Sequence, residues 1–243
     1  SLGDPELRQE ISNMYLKNYG VTISPGQIIV TSGTSPAILM VLQALCNAGD
    51  EIILSDPGYA CYPNFISLAG AEMVKVPVYE EDGFQYRPEN ISAAITDRTK
   101  AILINSPMNP TGNLLAPETL KAIADLSPYV ISDEIYHGLV YDDKAHSILE
   151  YTNRAFVLNG FSKLYAMTGH RLGYVIVPEE FVRPIQKLQQ NLFICASSVA
   201  QRAGIAALRE ADAEVEHMKN VYNERRKYMI GRLRELGFSI SVE

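Results

Sequence analysis

The sequence is poor in the residues that build disulfide frameworks and metal centres. Its 243 residues include only three cysteines, Cys46, Cys61 and Cys195, which are far apart and form no C-x-x-C pair. None of the four histidines stands at metal-ligand spacing from them, so no metal site is predicted. We expect the cysteines to be small buried residues in a reducing cytosol, with a catalytic thiol as the weaker alternative.

Positive charge and long apolar runs are also scarce. The chain has 21 Lys and Arg against 28 Asp and Glu, which gives a net charge of -7. An acidic chain without a basic cluster argues against nucleic acid or an anionic membrane as the main partner. No apolar run reaches the length of a transmembrane helix, and no signal peptide is recognisable. We therefore expect a cytoplasmic protein.

The two ends of the sequence suggest a fragment. The chain starts with Ser1 rather than Met, and it stops at Glu243 directly after the alternating run 238–242, which is typical of a strand. We expect truncation at both ends.

What the sequence does contain is an alternation of short apolar runs and helical patterns. Seven β-branched runs are predicted to be strands: residues 28–31, 51–55, 73–78, 101–105, 129–132, 155–159 and 174–177. Near-continuous apolar runs are typical of strands that are covered on both faces. With helices between them, they predict a three-layer α/β/α domain with a mainly parallel seven-stranded sheet.

The predicted helices cover much of the remaining chain: residues 4–17, 36–46, 117–126 and an almost continuous pattern from 178 onward. The first has Asp4 as its N-cap and Pro5 at the first helical position. Residues 211–236 have the pattern of a long amphipathic helix that leads out of the domain. The predicted organisation is a large domain over 1–210, followed over 211–243 by the long helix and the start of a truncated small domain.

In sheets of this kind ligands bind beyond the carboxyl ends of the strands, so the residues that follow each strand are candidates. The first strand is followed by Gly33, Thr34 and Ser35 at the start of a helix. Free N–H groups and the helix dipole there suit a phosphate, although a plain helix capped by Ser35 is the simpler alternative. The segment is neither a G-x-G-x-x-G nor a Walker loop, which disfavours nicotinamide dinucleotides and ATP.

Aromatic and polar residues follow further strands. Tyr59 follows the second strand, where a ring can cover a flat ligand, and Asn105 and Asn109 stand at the end of the fourth. Asp133 and Tyr136 follow the fifth strand, and a buried carboxylate there needs a cationic partner such as a protonated ring nitrogen. Taken singly, a packing aromatic, a turn and a helix cap explain these residues equally well.

The loop after the sixth strand contains Ser162, Lys163 and Arg171. A lysine on such a loop is usually solvated, but in an enclosed site it can form a Schiff base, and arginine suits a phosphate. Together the strand ends carry a phosphate site, an aromatic cover, an Asn, an Asp and a Lys/Arg pair. Pyridoxal phosphate needs all of these, because it is a flat ring with a phosphate, an aldehyde and a basic nitrogen.

Three segments are highly specific in combination: NSPMNPTG at 105–112, SDEIY at 132–136 and NGFSKLYAMTGHRLGY at 159–174. With them the chain resembles, in order and over nearly its whole length, the class I/II aminotransferases, which are fold type I pyridoxal-phosphate enzymes. The resemblance implies amino-group transfer between an amino acid and a 2-keto acid, and a homodimer in the full-length protein.

The resemblance also implies chemical roles for four motif positions. Lys163 is expected to hold the cofactor as a Schiff base and to move the proton between the substrate Cα and the cofactor carbon. Asp133 is expected to be the partner of the pyridine nitrogen. Tyr136 and Asn109 are expected to hydrogen-bond the phenolic oxygen, and Asn109 also touches the substrate carboxylate.

The remaining roles concern the ring and the phosphate. Tyr59 corresponds to the aromatic residue that stacks on the ring. The phosphate is expected to lie on Gly33, Thr34 and Ser35, with Arg171 as its cation.

The chain departs from the family pattern in several places. Gly160 stands where many members have a phosphate-binding Ser, and Ser162 is the candidate to replace it, while His170 stands where a Trp is common. The small domain, with the arginine that clamps the substrate carboxylate, and a tyrosine upstream of residues 3–8 lie outside the sequence. A β-lyase or decarboxylase on the same scaffold and an aminotransferase-like sensor domain of a transcription regulator are the alternative functions.

Overall fold

The computed structural model of the protein describes residues 1–240. It contains seven strands: β1 Ile28–Thr31, β2 Glu51–Asp56, β3 Glu72–Pro77, β4 Thr99–Asn105, β5 Tyr129–Asp133, β6 Ala155–Gly160 and β7 Gly173–Ile176. Its α-helices are α1 Pro5–Tyr19, α2 Thr34–Leu45, α3 Tyr62–Leu68, α4 Pro88–Ala94, α5 Pro117–Ala124, α6 Glu179–Leu188, α7 Ser198–Glu210 and α8 Asp212–Glu235. Each predicted strand differs from the observed one by no more than two residues at either end.

The strands form one sheet in the order β1-β7-β6-β5-β4-β2-β3. Strand β7 runs antiparallel to both of its neighbours, and all other pairs are parallel. The predicted mainly parallel, seven-stranded sheet is therefore confirmed. Because β7 is antiparallel, its amino end lies at the edge where the parallel strands have their carboxyl ends. Gly173 accordingly pairs with both Thr31 and Gly160.

Helices cover both faces of the sheet, because neighbouring residues of a buried strand point to opposite sides. In β5, Val130 belongs to the apolar core under α1, α4, α5 and α7. The next residue, Ile131, belongs to the core under α2, α3 and α6. Ile102 and Leu103 of β4 divide between the two cores in the same way. The predicted three-layer α/β/α arrangement is confirmed.

The first helix begins as the sequence predicts. The Asp4 side chain accepts a hydrogen bond from the Glu6 amide (2.9 Å), and Pro5 is the first helical residue. The helix ends at Gly20, whose φ of 72° is easily adopted only by glycine.

Three predictions of local structure were wrong. Helix α2 begins at Thr34, and its cap is Gly33 rather than Ser35, without a side-chain hydrogen bond. The pattern after residue 178 is not one continuous helix, because a π-helical turn at Gln189–Phe193 and Ile194, with a φ of 66°, interrupt it. Cys195 is exposed rather than buried, while Cys46 and Cys61 are half-buried, and all three are free thiols.

The last helix, α8, has 24 residues and no buried side chain. It follows α7 after a break at Ala211, so the boundary predicted at 210/211 coincides with a helix break. The division into domains itself stays a prediction. Of the strand predicted at 238–242, residues 238–240 are not in a strand, and residues 241–243 lie outside the described part of the chain.

Within residues 1–240, no helix is long and apolar enough to cross a membrane.

Candidate active site

The sheet edge described above opens into a cavity of about 160 Å³. The cavity lies where strand order and direction bring the ends of β1, β4, β5 and β6 and the start of β7 together. Its lining consists of Gly33, Thr34, Ser35, Tyr59, Tyr62, Asn105, Asn109, Asp133, Ile135, Tyr136, Ser162, Lys163 and Arg171. All ten residues predicted for the site are among them, and their individual roles remain predictions.

Asp133 is the buried carboxyl of this cavity. One of its oxygens accepts a hydrogen bond from the Tyr62 hydroxyl (2.9 Å), and the other accepts the backbone N–H of Ile135 (3.2 Å). Burial raises the pKa of Asp133 to about 6, and the two hydrogen bonds and the positive charge of Lys163 oppose that rise. No residue of the described part of the chain forms an ion pair with this carboxyl, so a cation placed against it would stabilise its charged form.

Two asparagines connect β4 to the Asp133 segment. The Asn105 side chain donates to the backbone carbonyl of Asp133 (2.8 Å) and accepts the backbone N–H of Asn109 (2.7 Å). The Asn109 side chain in turn donates to the Tyr136 hydroxyl (3.2 Å). Asn109 and Tyr136 thus present an amide and a hydroxyl side by side, whereas Asn105 holds the backbone that carries Asp133.

Lys163 lies on the exposed loop after β6. Its Nζ is 5.6 Å from the centre of the Tyr136 ring, which places the amine over the aromatic face. The loop is closed by a hydrogen bond from the Thr168 hydroxyl to the Ser162 carbonyl (3.0 Å) and by one from the Met167 amide to the Phe161 carbonyl (3.1 Å). A free amine therefore faces the cavity on a loop of defined shape.

The start of α2 and Arg171 form another part of the cavity lining. Gly33 has φ 92° and ψ 175°, a backbone conformation open only to glycine. A Cβ at Gly33 would lie 2.6 Å from Nη2 of Arg171, so the guanidinium packs directly on the helix start. No side chain caps this helix, which leaves its first N–H groups available to an anion beside the Arg171 fork.

The geometry explains the glycine at position 160. A Cβ there would lie 2.9 Å from the Cα of Gly173 and from the Leu172 carbonyl oxygen, because β6 and β7 approach closely at this point. A serine at 160 therefore does not fit this backbone. Ser162 lines the cavity and is the hydroxyl that remains on this loop.

Tyr59 lines the cavity and is 37% exposed. Its ring meets the Tyr62 ring edge to face, with 5.2 Å between the centroids. Tyr62 itself and Ile135 are site residues that the sequence reasoning missed. The signal for Tyr62 was a second tyrosine three residues after Tyr59, in the same segment after the second strand; no signal distinguishes Ile135 from an ordinary core residue.

A larger cleft of about 640 Å³ adjoins the cavity. Asn109 and Tyr136 line both spaces, and the cleft continues between apolar side chains to Arg226 of α8, which pairs with Asp142 (2.7 Å). Because Asp133, Lys163 and Arg171 line only the smaller cavity, the chemical groups are concentrated there. Among the described residues, no group of three or more His, Cys, Asp or Glu is arranged to hold a metal ion.

Comparison with known proteins decides the family. The model of the family described as aminotransferase class I and II matches residues 1–242. The chain belongs to this family. Its fold agrees, since the structure of Thermus thermophilus aspartate aminotransferase with maleate superposes with a TM-score of 0.96 at 34% identity, over 99% of this chain and 65% of that one.

Two related aminotransferases show how broad the family is. A (5-formylfuran-3-yl)methyl phosphate transaminase of Methanocaldococcus jannaschii is 40% identical over 99% of this chain and 64% of its own length. An aspartate aminotransferase of Pyrococcus horikoshii is 37% identical over 96% of this chain and 62% of its own length. The chain thus spans less than two thirds of the length of these relatives.

Proposed function

We propose that the protein transfers amino groups between an amino acid and a 2-keto acid, with pyridoxal phosphate held as a Schiff base on Lys163. The observation that carries the proposal is that all ten residues expected from the aminotransferase motifs line one cavity. Family membership supports it, because the cofactor chemistry belongs to the family as a whole.

The donor set fits the cofactor part by part. Arg171 and the uncapped start of α2 at Gly33 suit the phosphate. The amide of Asn109 and the hydroxyl of Tyr136 lie 3.2 Å apart and suit the phenolic oxygen. Tyr59 lines the same cavity and supplies an aromatic ring that can lie against the cofactor ring.

Asp133 and Lys163 supply the acid–base chemistry in this proposal. A protonated pyridine nitrogen beside Asp133 would supply a cation to this buried carboxyl. The negative charge of Asp133 would in turn keep that nitrogen protonated. The cofactor, when bound, withdraws electrons from the substrate Cα. Lys163 would be the base that moves the proton from the substrate Cα to the cofactor carbon, because it is the one lysine among the residues that line the cavity.

The substrate approaches from the larger cleft. Asn109 lines both that cleft and the cavity, which suits its expected contact with the substrate carboxylate. The names of the relatives differ in substrate, so we leave the side chain of the amino acid open. The cytoplasmic location and the homodimer stay predictions. Size-exclusion chromatography with light scattering tests the homodimer.

Absorbance tests the cofactor. We expect added pyridoxal phosphate to give a Schiff-base band in the visible with the wild-type protein, and no band with Lys163→Ala. Lys121→Ala, which removes an exposed lysine of α5, is the matched control and keeps the band. A wild-type protein with no band and no lysine adduct after borohydride reduction contradicts the proposal.

A panel of amino acids and keto acids tests the reaction. Transamination predicts that an amino acid bleaches the band with release of one keto acid, and that a second keto acid restores it. Release of ammonia or CO₂ instead indicates the β-lyase or decarboxylase alternative. Binding of an amino acid without any product favours the sensor alternative.

A further inference from the structure

The segment 133–138 carries three residues into the cavity and two that are buried outside it. Asp133, Ile135 and Tyr136 line the cavity, and both Glu134 and His137 are buried outside it. Adjacent residues at the end of a strand point to opposite faces, so Glu134 lies on the side of α1. This carboxyl, 1% exposed, has no part in the proposed chemistry.

One oxygen of Glu134 collects three donors. Its Oε1 accepts hydrogen bonds from the Ser147 hydroxyl (3.0 Å), the backbone N–H of Ile148 (3.0 Å) and the Ser132 hydroxyl (3.2 Å). Ser147 also caps the short 3₁₀ helix at Ile148–Glu150. Glu134 therefore fastens the end of β5 to the chain segment that precedes β6.

The other oxygen faces α1 and the turn itself. Oε2 lies 3.4 Å from the Tyr15 hydroxyl and 3.5 Å from Nδ1 of His137, and His137 Nδ1 is 2.8 Å from the Tyr19 hydroxyl. The backbone N–H of His137 also donates to the Glu134 carbonyl (2.9 Å). Two tyrosines of α1 thus hold the turn from the side opposite the cavity.

The same turn supports the lysine loop. A Cβ at Gly138 would lie 2.6 Å from Leu164, the residue after Lys163, so the turn packs directly on that loop. Ile135 lies against Gly160, 3.4 Å from where a Cβ would be. A displacement of the turn therefore moves Asp133 and the lysine loop together.

We propose that Glu134 is a positioning residue of the cofactor site, which holds the 133–138 turn so that Asp133, Tyr136 and Lys163 keep their relative places. The inference rests on the proposed function in so far as the ligand of this site is pyridoxal phosphate. It does not require Glu134 to touch the cofactor or the substrate.

The surroundings of Glu134 indicate that it acts without charge. Burial raises the pKa of Glu134 to about 8 and lowers the pKa of His137 to about 3, so near neutral pH neither group is ionised. The other side chains that hydrogen-bond Glu134 carry neutral hydroxyls: Tyr15, Ser132 and Ser147. A glutamine has the same shape, with an amide oxygen to accept the three donors and an NH₂ group toward Tyr15 and His137.

Two substitutions test the proposal. We expect Glu134→Leu to weaken pyridoxal phosphate binding by about tenfold or more, which is the effect of losing about one hydrogen bond in the site. The Schiff-base absorbance measures the binding. Glu134→Gln should bind within about twofold of wild type, since it restores the same contacts. Glu51→Gln is the matched control, because Glu51 is also buried but is the first residue of β2, at the end of that strand away from the cavity. It should leave cofactor affinity unchanged.

A purely structural role would give a different result. If Glu134→Leu lowers the unfolding midpoint but leaves the affinity and the absorbance band unchanged at a temperature where it is fully folded, the proposal is overturned. A Glu134→Gln variant as weak as Glu134→Leu also contradicts it. Should Glu134→Leu not fold, Ser147→Ala removes one donor only, and unchanged affinity in that variant overturns the proposal.

A readout without cofactor separates this inference from the proposed function. Carboxyl NMR of the cofactor-free protein reports the pKa of Asp133, which should move in Glu134→Leu and stay at the wild-type value in Glu134→Gln. If wild type binds no pyridoxal phosphate, the proposed function fails while this measurement still decides whether Glu134 positions Asp133. An Asp133 pKa that is the same in all three proteins overturns the positioning role.

Discussion

The hydrogen bond from Tyr62 to Asp133 offers a quantitative test of the site's electrostatics. Tyr62→Phe removes only the hydroxyl, which donates to Asp133 at 2.9 Å, and keeps the ring that packs against Tyr59. A hydrogen bond to an ionised group contributes about 1.5–3 kcal/mol, against about 1 kcal/mol for a neutral pair. The ionised form of Asp133 therefore loses about 0.5–2 kcal/mol more than the neutral form, which raises its pKa by about one unit.

The sign follows from where Asp133 titrates. Its pKa in the folded protein, about 6, is above the usual value of 3.8, so ionisation weakens the fold as pH rises from 3.8 to about 6. In Tyr62→Phe this range extends upward to about 7. We expect the substitution to lower the free energy of unfolding by about 1 kcal/mol at pH 5 and by about 2–2.5 kcal/mol at pH 8.

Denaturant titration of the cofactor-free protein at the two pH values measures the difference. Tyr86→Phe is the control, since Tyr86 is equally buried and its hydroxyl donates to a neutral group, the Leu103 carbonyl (3.2 Å). Its loss of about 1 kcal/mol should be the same at pH 5 and pH 8. Equal losses at both pH values in Tyr62→Phe would refute the assigned hydrogen bond to a titrating Asp133.

Two further substitutions test the corners of the cavity. Gly33→Ala places a Cβ 2.6 Å from Nη2 of Arg171 in a glycine-only conformation. It should lower the free energy of unfolding by about 1–3 kcal/mol and weaken binding of pyridoxal phosphate. The control Gly20→Ala, at φ 72° with nothing within 4 Å of the new Cβ, should lose stability without changing cofactor affinity. Asp133→Ala should keep the fold, seen by circular dichroism, and weaken cofactor binding. Unchanged affinity in either cavity variant counts against the role proposed for that corner.

Local signals in the sequence were sufficient for most of the fold. The cap at Asp4 and Pro5 acts within one turn, and the apolar runs of the strands report burial on both faces wherever they lie in the sheet. The residues at the ends of these strands could be assigned to one cavity because parallel strands end at the same edge. The resemblance to a known family then selected the chemistry that joins them.

The breaks after residue 178 and the exposure of Cys195 were not predicted, because composition rich in helix formers says little about where a helix stops. Ser197 does cap α7, accepting the Ala200 amide (3.4 Å), but one serine among many is a weak signal. The antiparallel direction of β7 was also hidden, since an apolar run looks the same in either direction.

By itself, the sequence determined the seven strands, the capped start of α1 and the ten residues that meet in the cavity, because these depend on patterns within a few residues. Only the tertiary structure showed that Tyr62 bonds to Asp133, 71 residues away, and that Glu134 reaches Tyr15, 119 residues away. It also showed why Gly160 has no room for a side chain. Such contacts depend on how whole elements pack, and no local pattern records which distant side chain fills the space beside a buried carboxyl.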